Sequence, residues 1–389
     1  MINSSASGSD ATTYVDARLL LPEGIEDGWL RVVGERIVAI GRGAADRAAG
    51  RVESVAGAYL APGLVDIHCH GAEGAVVYTG EDDLRRVAAA HLARGTTSMI
   101  ASVPTVEADT MISATRTIER MVSDADPANL AGFHLEGPFL AEHRSGAQTR
   151  SAIRRPDQDL LDRLLDAAGS TPVMITIAPE LEGALKMITG SAERCRFAIG
   201  HTDADYRLTL QAVDAGARHV THLFNAMPPL GHRSPGPVAA ALTDGRISYE
   251  LIADGHHVDA PVLALAAGVD DGRRAVLVTD ASAAAGLPDG RHRIADRELE
   301  VTGGVVRRIG TGRLAGSSAF LIDCVRHLVH TVGVPLNRAV AMASQNPAAA
   351  AGLKDRGRLR VGHRADLLVL TDELQIVSVV CAGAPQTTG

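Results

Sequence analysis

The sequence is poor in aromatic residues, cysteine and lysine. Aromatic residues make up 3% of the chain, and neither a basic stripe nor an RNA-type aromatic motif is present, which argues against a nucleic-acid-binding protein. The four cysteines are scattered without a CxxC pair, so we expect a reducing compartment rather than a disulfide framework. The chain also lacks a P-loop, a GxGxxG motif after a strand and a GxSxG motif, so nucleotide-binding and serine-hydrolase functions have no residues to support them.

Long apolar runs are missing as well. Glycine, aspartate or arginine interrupts every apolar run well before the ~20 residues that a membrane-spanning helix needs. The first ten residues, MINSSASGSD, do not combine a charged region with an apolar run, so no signal peptide is expected. With 46% hydrophobic residues in 389 and a net charge of −8, the sequence predicts a cytoplasmic globular protein with a large core and no membrane partner.

One pattern recurs between residue 62 and about residue 285: a short apolar run ends in a polar residue, and an Ala/Leu/Arg-rich helical stretch follows. The runs are LVDIHCH (64–70), SMIASVPT (98–105), LAGFHLEGP (130–138), VMITIAPE (173–180), RFAIGHTD (196–203), HVTHLFN (219–225), ISYELIADGHH (247–257) and AVLVTDA (275–281). Continuous apolar runs are typical of parallel strands buried on both faces. Eight such units predict an α/β fold, a (β/α)8 TIM barrel. The alternative is a doubly wound open sheet, which would place a site at one switch point instead of around a ring.

The flanking segments have a different character. Residues 13–60 and 357–383 alternate in polarity and turn often, which predicts a small β-sandwich domain formed from both chain termini. We therefore divide the chain into the N-terminal part of this domain (1–60), the catalytic barrel (61–353) and the C-terminal part of the β-domain (354–389). Residues 291–310 predict a hairpin with Gly303-Gly304 at its turn. Residues 316–353 predict two helices that complete the outer layer of the barrel.

Ionisable residues lie at or just beyond the carboxyl ends of the runs, the rim on which TIM barrels build active sites. They are His68, His70, Glu136, His201, His222, His257 and Asp280. Side chains two residues apart on a strand share a face, so His68 and His70 can approach one metal ion. Glu136, His201 and His222 form a three-ligand set with an open position for water. Such ligands suit zinc, iron or manganese, although each residue alone also has a structural interpretation.

The roles of Asp280, Arg233 and Cys69 complete the interpretation of the rim. Asp280 can accept a proton from a metal-activated water and pass it to a leaving amine; a metal ligand or a helix cap is the alternative. Arg233, in the loop NAMPPLGHRSPGP, suits a phosphate or carboxylate on a substrate, although most loop arginines are only solvated. Cys69, between the two histidines, is expected to face the core.

Several motifs occur together and in a fixed order: PGLVDIHCHG (62–71), HLEGPF (134–139), GHT (200–202), THLFNAM (221–227), DGHHVD (254–259), VTDA (278–281) and LAGS (314–317). In this set the sequence resembles the N-acetylglucosamine-6-phosphate deacetylases, a family of the amidohydrolase superfamily, over essentially the whole chain. The resemblance implies hydrolysis of a 2-acetamido group to acetate and glucosamine 6-phosphate, in amino-sugar catabolism and cell-wall recycling.

The resemblance also implies roles for individual residues. Glu136, His201 and His222 correspond to the primary metal ligands, and His68 and His70 to the HxH pair that supports a second metal in many members. One or two divalent ions per chain are therefore implied, with zinc expected and iron or manganese as alternatives. Asp280 corresponds to the catalytic acid/base. Several related two-metal enzymes carry a bridging lysine after the fourth strand, but this chain has none there. If two ions bind, Glu136 must therefore bridge them.

The implied substrate contacts lie on several loops of the same rim. They are Ala147, Asn225, Ala226, Arg233, His257, Leu314, Ala315 and Gly316. Gln148 stands where some members have a histidine beside the sugar, which leaves the preferred hexosamine open. Family members are commonly homodimers in which a partner subunit completes the phosphate site. Two alternatives remain: another amidohydrolase, such as a dihydroorotase-like, adenine-deaminase-like or isoaspartyl-dipeptidase-like enzyme, and a non-catalytic barrel that serves as a binding protein.

Overall fold

A computed structural model describes residues 11–45, 50–294 and 297–386. The first ten residues, for which no signal peptide is expected, lie outside the described residues, as do the last three. Within the described ranges, no helix is both long enough and apolar enough to cross a membrane.

Eight parallel strands form one sheet in sequence order, and each corresponds to one of the eight predicted runs. The strands are Leu64–Cys69, Thr96–Pro104, Leu130–Glu136, Val173–Ile177, Arg196–Ile199, His219–Val220, Ser248–Ile252 and Ala275–Val278. The sheet closes between its first and last members, because Cys69 and Ala281 form a parallel bridge. The backbone N–H of Asp280 also donates to the carbonyl of His68 at 2.9 Å. The TIM barrel is thus confirmed, and an open doubly wound sheet is excluded.

The strands are buried on both faces, which explains why the runs are continuously apolar. All residues of Leu64–Cys69 and Thr96–Pro104 are buried, for example. The α-helices cover Glu81–Ala93, Ala108–Ser123, Gln158–Ala168, Ala184–Ser191, Tyr206–Ala215, Gly236–Thr243, Ala260–Gly268, Leu321–His330, Leu336–Met342 and Gln345–Ala351. The helix Gln158–Ala168 illustrates the packing. Asp157 caps its amino end, because the Asp157 carboxylate accepts the N–H of Leu160. The leucines on one face of this helix are buried against the rest of the barrel.

Strands from both chain termini form a second sheet. Its order is Ala384–Gln386, Ile376–Cys381, Leu367–Leu370, Tyr59–Pro62, Ala11–Leu21, Gly24–Val33 and Arg36–Arg42, and Arg51–Ser54 pairs with Ala11–Leu21 in parallel. A separate apolar core that includes Leu30, Ile37 and Leu60 stabilises it. The small β-domain built from both termini is therefore confirmed, while the residues chosen as domain boundaries stay a prediction.

An excursion of three antiparallel strands replaces the predicted hairpin: Gly290–Ile294, Arg297–Thr302 and Val305–Arg308. The turn predicted at Gly303-Gly304 is confirmed, since Thr302 pairs with Val305 and both glycines have positive φ (56° and 81°). A shorter hairpin, Gly71–Ala72 with Ala75–Val76, follows the first barrel strand.

The prediction of two helices over 316–353 is wrong, because the structure has three, which span Leu321–His330, Leu336–Met342 and Gln345–Ala351. A continuous helix through the last two would place Pro347 in its interior, where the ring removes a backbone donor. The helix is interrupted at Ser344 instead, with φ −141°, and Pro347 then lies in the first turn of the helix Gln345–Ala351. A backbone N–H in the first turn has no partner within the helix, so its absence from proline costs no hydrogen bond.

Candidate active site

Three predicted metal ligands meet at the carboxyl ends of three barrel strands. Glu136 is the last residue of the third strand, and His201 and His222 follow the fifth and sixth strands. Glu136 Oε1 lies 2.8 Å from His201 Nε2 and 3.1 Å from His222 Nε2. The two imidazole Nε2 atoms are themselves 3.1 Å apart. One carboxylate oxygen and two ring nitrogens therefore surround one point, as in a three-ligand metal site.

The HxH pair adjoins this set. The Nε2 atoms of His68 and His70 are 3.1 Å apart, and His70 Nε2 is 3.2 Å from Glu136 Oε2. The two oxygens of Glu136 thus divide their contacts: Oε1 faces the histidines after the fifth and sixth strands, and Oε2 faces His70. Glu136 occupies the position from which one carboxylate can contact two ions.

The outer ring nitrogens determine how these histidines can act. The Nδ1 atoms of His70 and His201 lie 2.7 Å from the carbonyl oxygens of Ser102 and Arg144. Because a carbonyl only accepts, each Nδ1 carries the hydrogen and each Nε2 directs its lone pair toward the centre. Lone pairs and a carboxylate at these distances repel one another unless a cation lies between them. The donor set therefore fits a divalent metal ion.

The backbone at the site is unusual. His201, His222 and Asp280 have φ values of 49°, 28° and 45°, in the left-handed region that residues other than glycine rarely adopt. In each case the chain leaves a barrel strand and turns at once, with the side chain directed toward the rim. Such conformations are costly and concentrate at functional sites.

A buried carboxylate that the sequence interpretation missed lies beneath the candidate metal ligands and contacts them. Glu250, in the middle of the seventh strand, lies 2.8 Å from His68 Nδ1 and 3.1 Å from His219 Nε2. It also accepts the backbone N–H of His222 at 2.8 Å. Burial raises the pKa of Glu250, but His68 and His219 outweigh it, and the pKa falls well below its usual range. A glutamate inside the apolar run ISYELIA was the available signal, since isolated charges are seldom fully buried.

Asp280 lies opposite the ligands and borders the open space. Its Oδ1 is 3.4 Å from His70 Nε2 and 3.6 Å from His68 Nε2. Burial raises the pKa of Asp280, but His68 and His70 lower it by more, so the pKa lies below its usual value. The carboxylate is therefore ionised and can accept a proton. The helix-cap alternative is wrong: along the chain, the next described helix begins only at Leu321.

A cavity of about 250 Å³ opens above these groups. Most predicted substrate contacts line it, namely Ala147, Asn225, Ala226, His257, Leu314, Ala315 and Gly316. Tyr78, Ile294 and Leu299, which the sequence interpretation did not identify, add apolar walls, two of them from the three-stranded excursion. Arg233 does not line the cavity; it is exposed in the loop between the sixth strand and the helix Gly236–Thr243.

Two cavity residues are fixed by specific hydrogen bonds. His257 Nδ1 lies 2.7 Å from Asp254 Oδ2, which leaves Nε2 as the nitrogen available to a ligand. Gln148 donates its amide N–H to Glu136 and accepts the N–H of Thr105 at 2.7 Å. The amide group of Gln148 therefore holds the carboxylate of the candidate metal ligand Glu136.

Two other polar residues near the rim lie away from the cavity. His134 contacts Ser102 and Thr176 through its ring nitrogens and does not line the cavity. Cys69 is buried away from the cavity, as predicted, with Sγ 3.0 Å from His91 Nε2. All four cysteines are free and buried.

Known proteins are similar to this chain in sequence and architecture. The model of the amidohydrolase family matches residues 59–385. An N-acetylgalactosamine-6-phosphate deacetylase of Escherichia coli O157:H7 is 36% identical over 328 residues, which cover 83% of this chain and 86% of that protein. An N-acetylglucosamine-6-phosphate deacetylase of Bacillus subtilis is 33% identical and covers 85% of each chain.

A solved structure is similar over nearly the full length. It is a mutant N-acetyl-D-glucosamine-6-phosphate deacetylase from Mycobacterium smegmatis in complex with N-acetyl-D-glucosamine-6-phosphate, with a TM-score of 0.91 and 37% identity over 97% of this chain and 99% of that one. The resemblance drawn from the motifs is thus confirmed, and the chain is a hydrolase that belongs to the amidohydrolase family.

Proposed function

We propose that this chain is a metal-dependent deacetylase that hydrolyses N-acetyl-D-glucosamine 6-phosphate to D-glucosamine 6-phosphate and acetate, in amino-sugar catabolism and cell-wall recycling. The observation that carries the proposal is the convergence of Glu136, His201, His222 and Asp280 on one cavity of about 250 Å³. The names of the similar proteins support this substrate class.

The metal would be held by Glu136, His201 and His222, with His68 and His70 available to a second ion beside Glu136. Zinc is the expected metal, and iron or manganese also suits these ligands. When bound, such an ion acidifies water and polarises the amide carbonyl. The chain's own contribution is to orient His68, His70, His201 and Glu136, through Glu250, Ser102, Arg144 and Gln148 respectively, and to enclose the reacting group.

Asp280 performs the proton transfers. It first accepts a proton from the water that attacks the acetyl carbon, and the C–N bond then breaks. The same carboxyl group returns the proton to the departing nitrogen, so the products are acetate and a free amine. His257, held through Nδ1 by Asp254, offers its Nε2 to the substrate.

We infer that the 6-phosphate is bound at the Asn225–Ala226 side of the cavity and that Arg233 contacts it. Arg233 lies outside the cavity of its own chain. The inference therefore requires a homodimer in which Arg233 reaches the substrate of the partner subunit. A guanidinium is well suited to such a contact, because it can hold a phosphate with two parallel hydrogen bonds.

A second candidate substrate is N-acetyl-D-galactosamine 6-phosphate. One specific observation favours it: the relative of that name is 36% identical to this chain. Gln148 contacts Glu136 and Thr105, so it does not replace the sugar contact that a histidine makes at this place in some members.

Acetate release from a panel of sugars tests the proposal. The panel contains the two N-acetylhexosamine 6-phosphates and the same two sugars without phosphate. We expect the glucosamine derivative with phosphate to have the highest kcat/KM, and activity to disappear on chelation and return with metal. A higher kcat/KM for the galactosamine derivative would favour the second candidate. Activity that survives complete metal removal would contradict the mechanism.

A further inference from the structure

A second, larger cavity opens at the opposite end of the barrel. Its volume is about 930 Å³, and it lies at the amino ends of the fourth to eighth strands, where Val173, Arg196, His219 and Ser248 begin or border the strands. Within the described part of the chain, it shares no lining residue with the catalytic cavity. This end of a TIM barrel normally serves stability, so a large polar cavity here has no role in the proposed reaction.

Arginine dominates the charge of this cavity. Among the residues that the structure describes, seven arginines line it, against one carboxylate, that of Glu193. Three of the seven are neutralised by aspartates outside the lining: Arg194 contacts Asp162 and Asp166, Arg246 contacts Asp214 and Asp244, and Arg274 contacts Asp270.

The other four arginines have no carboxylate within ion-pair distance among the residues that the structure describes. They are Arg196, Arg218, Arg273 and Arg358. Arg218 donates to the backbone carbonyl of Ala217 at 2.7 Å. This hydrogen bond uses one of its N–H donors, but a neutral carbonyl does not neutralise the positive charge of the guanidinium group. Arg196 packs so tightly over Gly352 that a Cβ there would lie 2.1 Å from its Nη2.

The uncompensated charge is local, because the whole chain carries a net charge of −8. Seven arginine residues around one concave space, with Glu193 as the single acidic residue of its described lining, favour an anion of several charges. Arginine holds phosphate oxygens in pairs, and a single monovalent anion would leave most of these guanidinium groups unneutralised. The volume falls in the range of small-molecule sites, roughly 300–1,000 Å³.

We propose that this cavity, at the amino-terminal face of the barrel, binds a small molecule that carries two phosphoryl groups. The site is separate from catalysis, and its four arginines without a carboxylate partner form the contacts with the phosphoryl oxygens. Binding does not depend on the identity of the deacetylation substrate, so a failure of either proposal leaves the other intact.

The test uses fructose 1,6-bisphosphate as the probe, titrated calorimetrically into the metal-loaded full-length protein. We expect one probe molecule per chain, and the double variant Arg273→Gln/Arg358→Gln should weaken binding at least about tenfold, because it removes two charge-assisted contacts. Exposed Arg155, which does not line this cavity, provides the matched control, and Arg155→Gln should bind as the parent does. Acetate release without probe should be unchanged in both variants, which shows that they are folded.

Two results would overturn the proposal. The first is no detectable binding at millimolar probe concentration. The second is equal affinity in the parent and in the Arg273→Gln/Arg358→Gln variant, which would place the probe elsewhere, the catalytic cavity included.

Discussion

His68 Nδ1 lies 2.8 Å from Glu250 Oε2, and both side chains are completely buried inside the barrel. The same carboxylate contacts His219 and the backbone N–H of His222. A candidate metal ligand is thus oriented by a carboxylate beneath it, an arrangement that fixes the ring tautomer and raises ligand basicity.

Replacing Glu250 with glutamine should weaken metal binding by about ten- to a hundredfold, the usual cost of losing a partner behind a ligand. Glutamine keeps the size of the side chain but loses its charge, so it orients His68 less firmly. Affinity is measured by competition with a chromogenic chelator. The exposed Glu182→Gln variant is the control and should match the parent. Parental affinity in Glu250→Gln would remove this carboxylate from the metal site.

The Asp280→Asn variant separates proton transfer from metal binding. Asparagine preserves shape and hydrogen bonding but cannot accept a proton at neutral pH. Metal content should stay, since Glu136, His201 and His222 are intact, while kcat should fall by ~10²–10⁴-fold. Metal content and kcat are measured on one preparation. Loss of metal together with activity would make Asp280 a principal ligand, and a near-parental kcat would end the proton-transfer proposal.

Arg233→Ala should lower kcat/KM for the phosphorylated sugar by about ten- to a hundredfold, as expected for one lost charge-assisted contact. Because Arg233 is exposed and does not line the cavity of its own subunit, we expect the substitution to weaken substrate binding in the partner subunit. Mixing inactive Asp280→Asn subunits with Arg233→Ala subunits should then restore part of the activity, through sites that combine an intact Asp280 with the other subunit's Arg233. A monomer in solution, or no recovery on mixing, would contradict action across a dimer.

His91 should make the protein sensitive to acid. Burial lowers the pKa of His91 to about 4, and the hydrogen bond to the Gly71 carbonyl only partly offsets this. Above pH 6.5 the residue is neutral in both states; as the pH falls from 6.5 toward 4, only the unfolded chain binds the proton. The free energy of unfolding should therefore fall by roughly 3 kcal/mol over this window on account of His91 alone.

Urea unfolding at pH 7 and at pH 4.5 measures that dependence. The His91→Gln variant should lose less stability between the two pH values than the parent, although it starts from a lower stability. Exposed His232→Gln should keep the parental dependence. An equal pH dependence in the parent and in His91→Gln would show that His91 is not the buried neutral group described.

The barrel and its rim could be predicted from the sequence for a local reason. Parallel strands buried on both faces must be continuously apolar, and the end of such a run shows where the chain reaches the rim. Glu136 ends its strand, and His201, His222 and Asp280 lie two residues beyond the ends of theirs, so their meeting needed only the assumption that the strands form one closed sheet. The turn at Gly303-Gly304 could be predicted from adjacent residues alone, because these two glycines by themselves connect the strands Arg297–Thr302 and Val305–Arg308.

Other features depended on contacts between distant segments. The sequence places Glu250 inside a run, but only the register of neighbouring strands brings it beneath His68 and His219. The prolines and glycines around Arg233 show that it lies in a loop. The composition of the loop does not show its path over the surface, and it is this path that keeps the guanidinium out of the cavity. The sequence by itself determined which residues end the strands, because burial acts on each segment separately. Only the tertiary structure decided which of those side chains touch, because strand register and loop paths are determined by packing across the whole barrel.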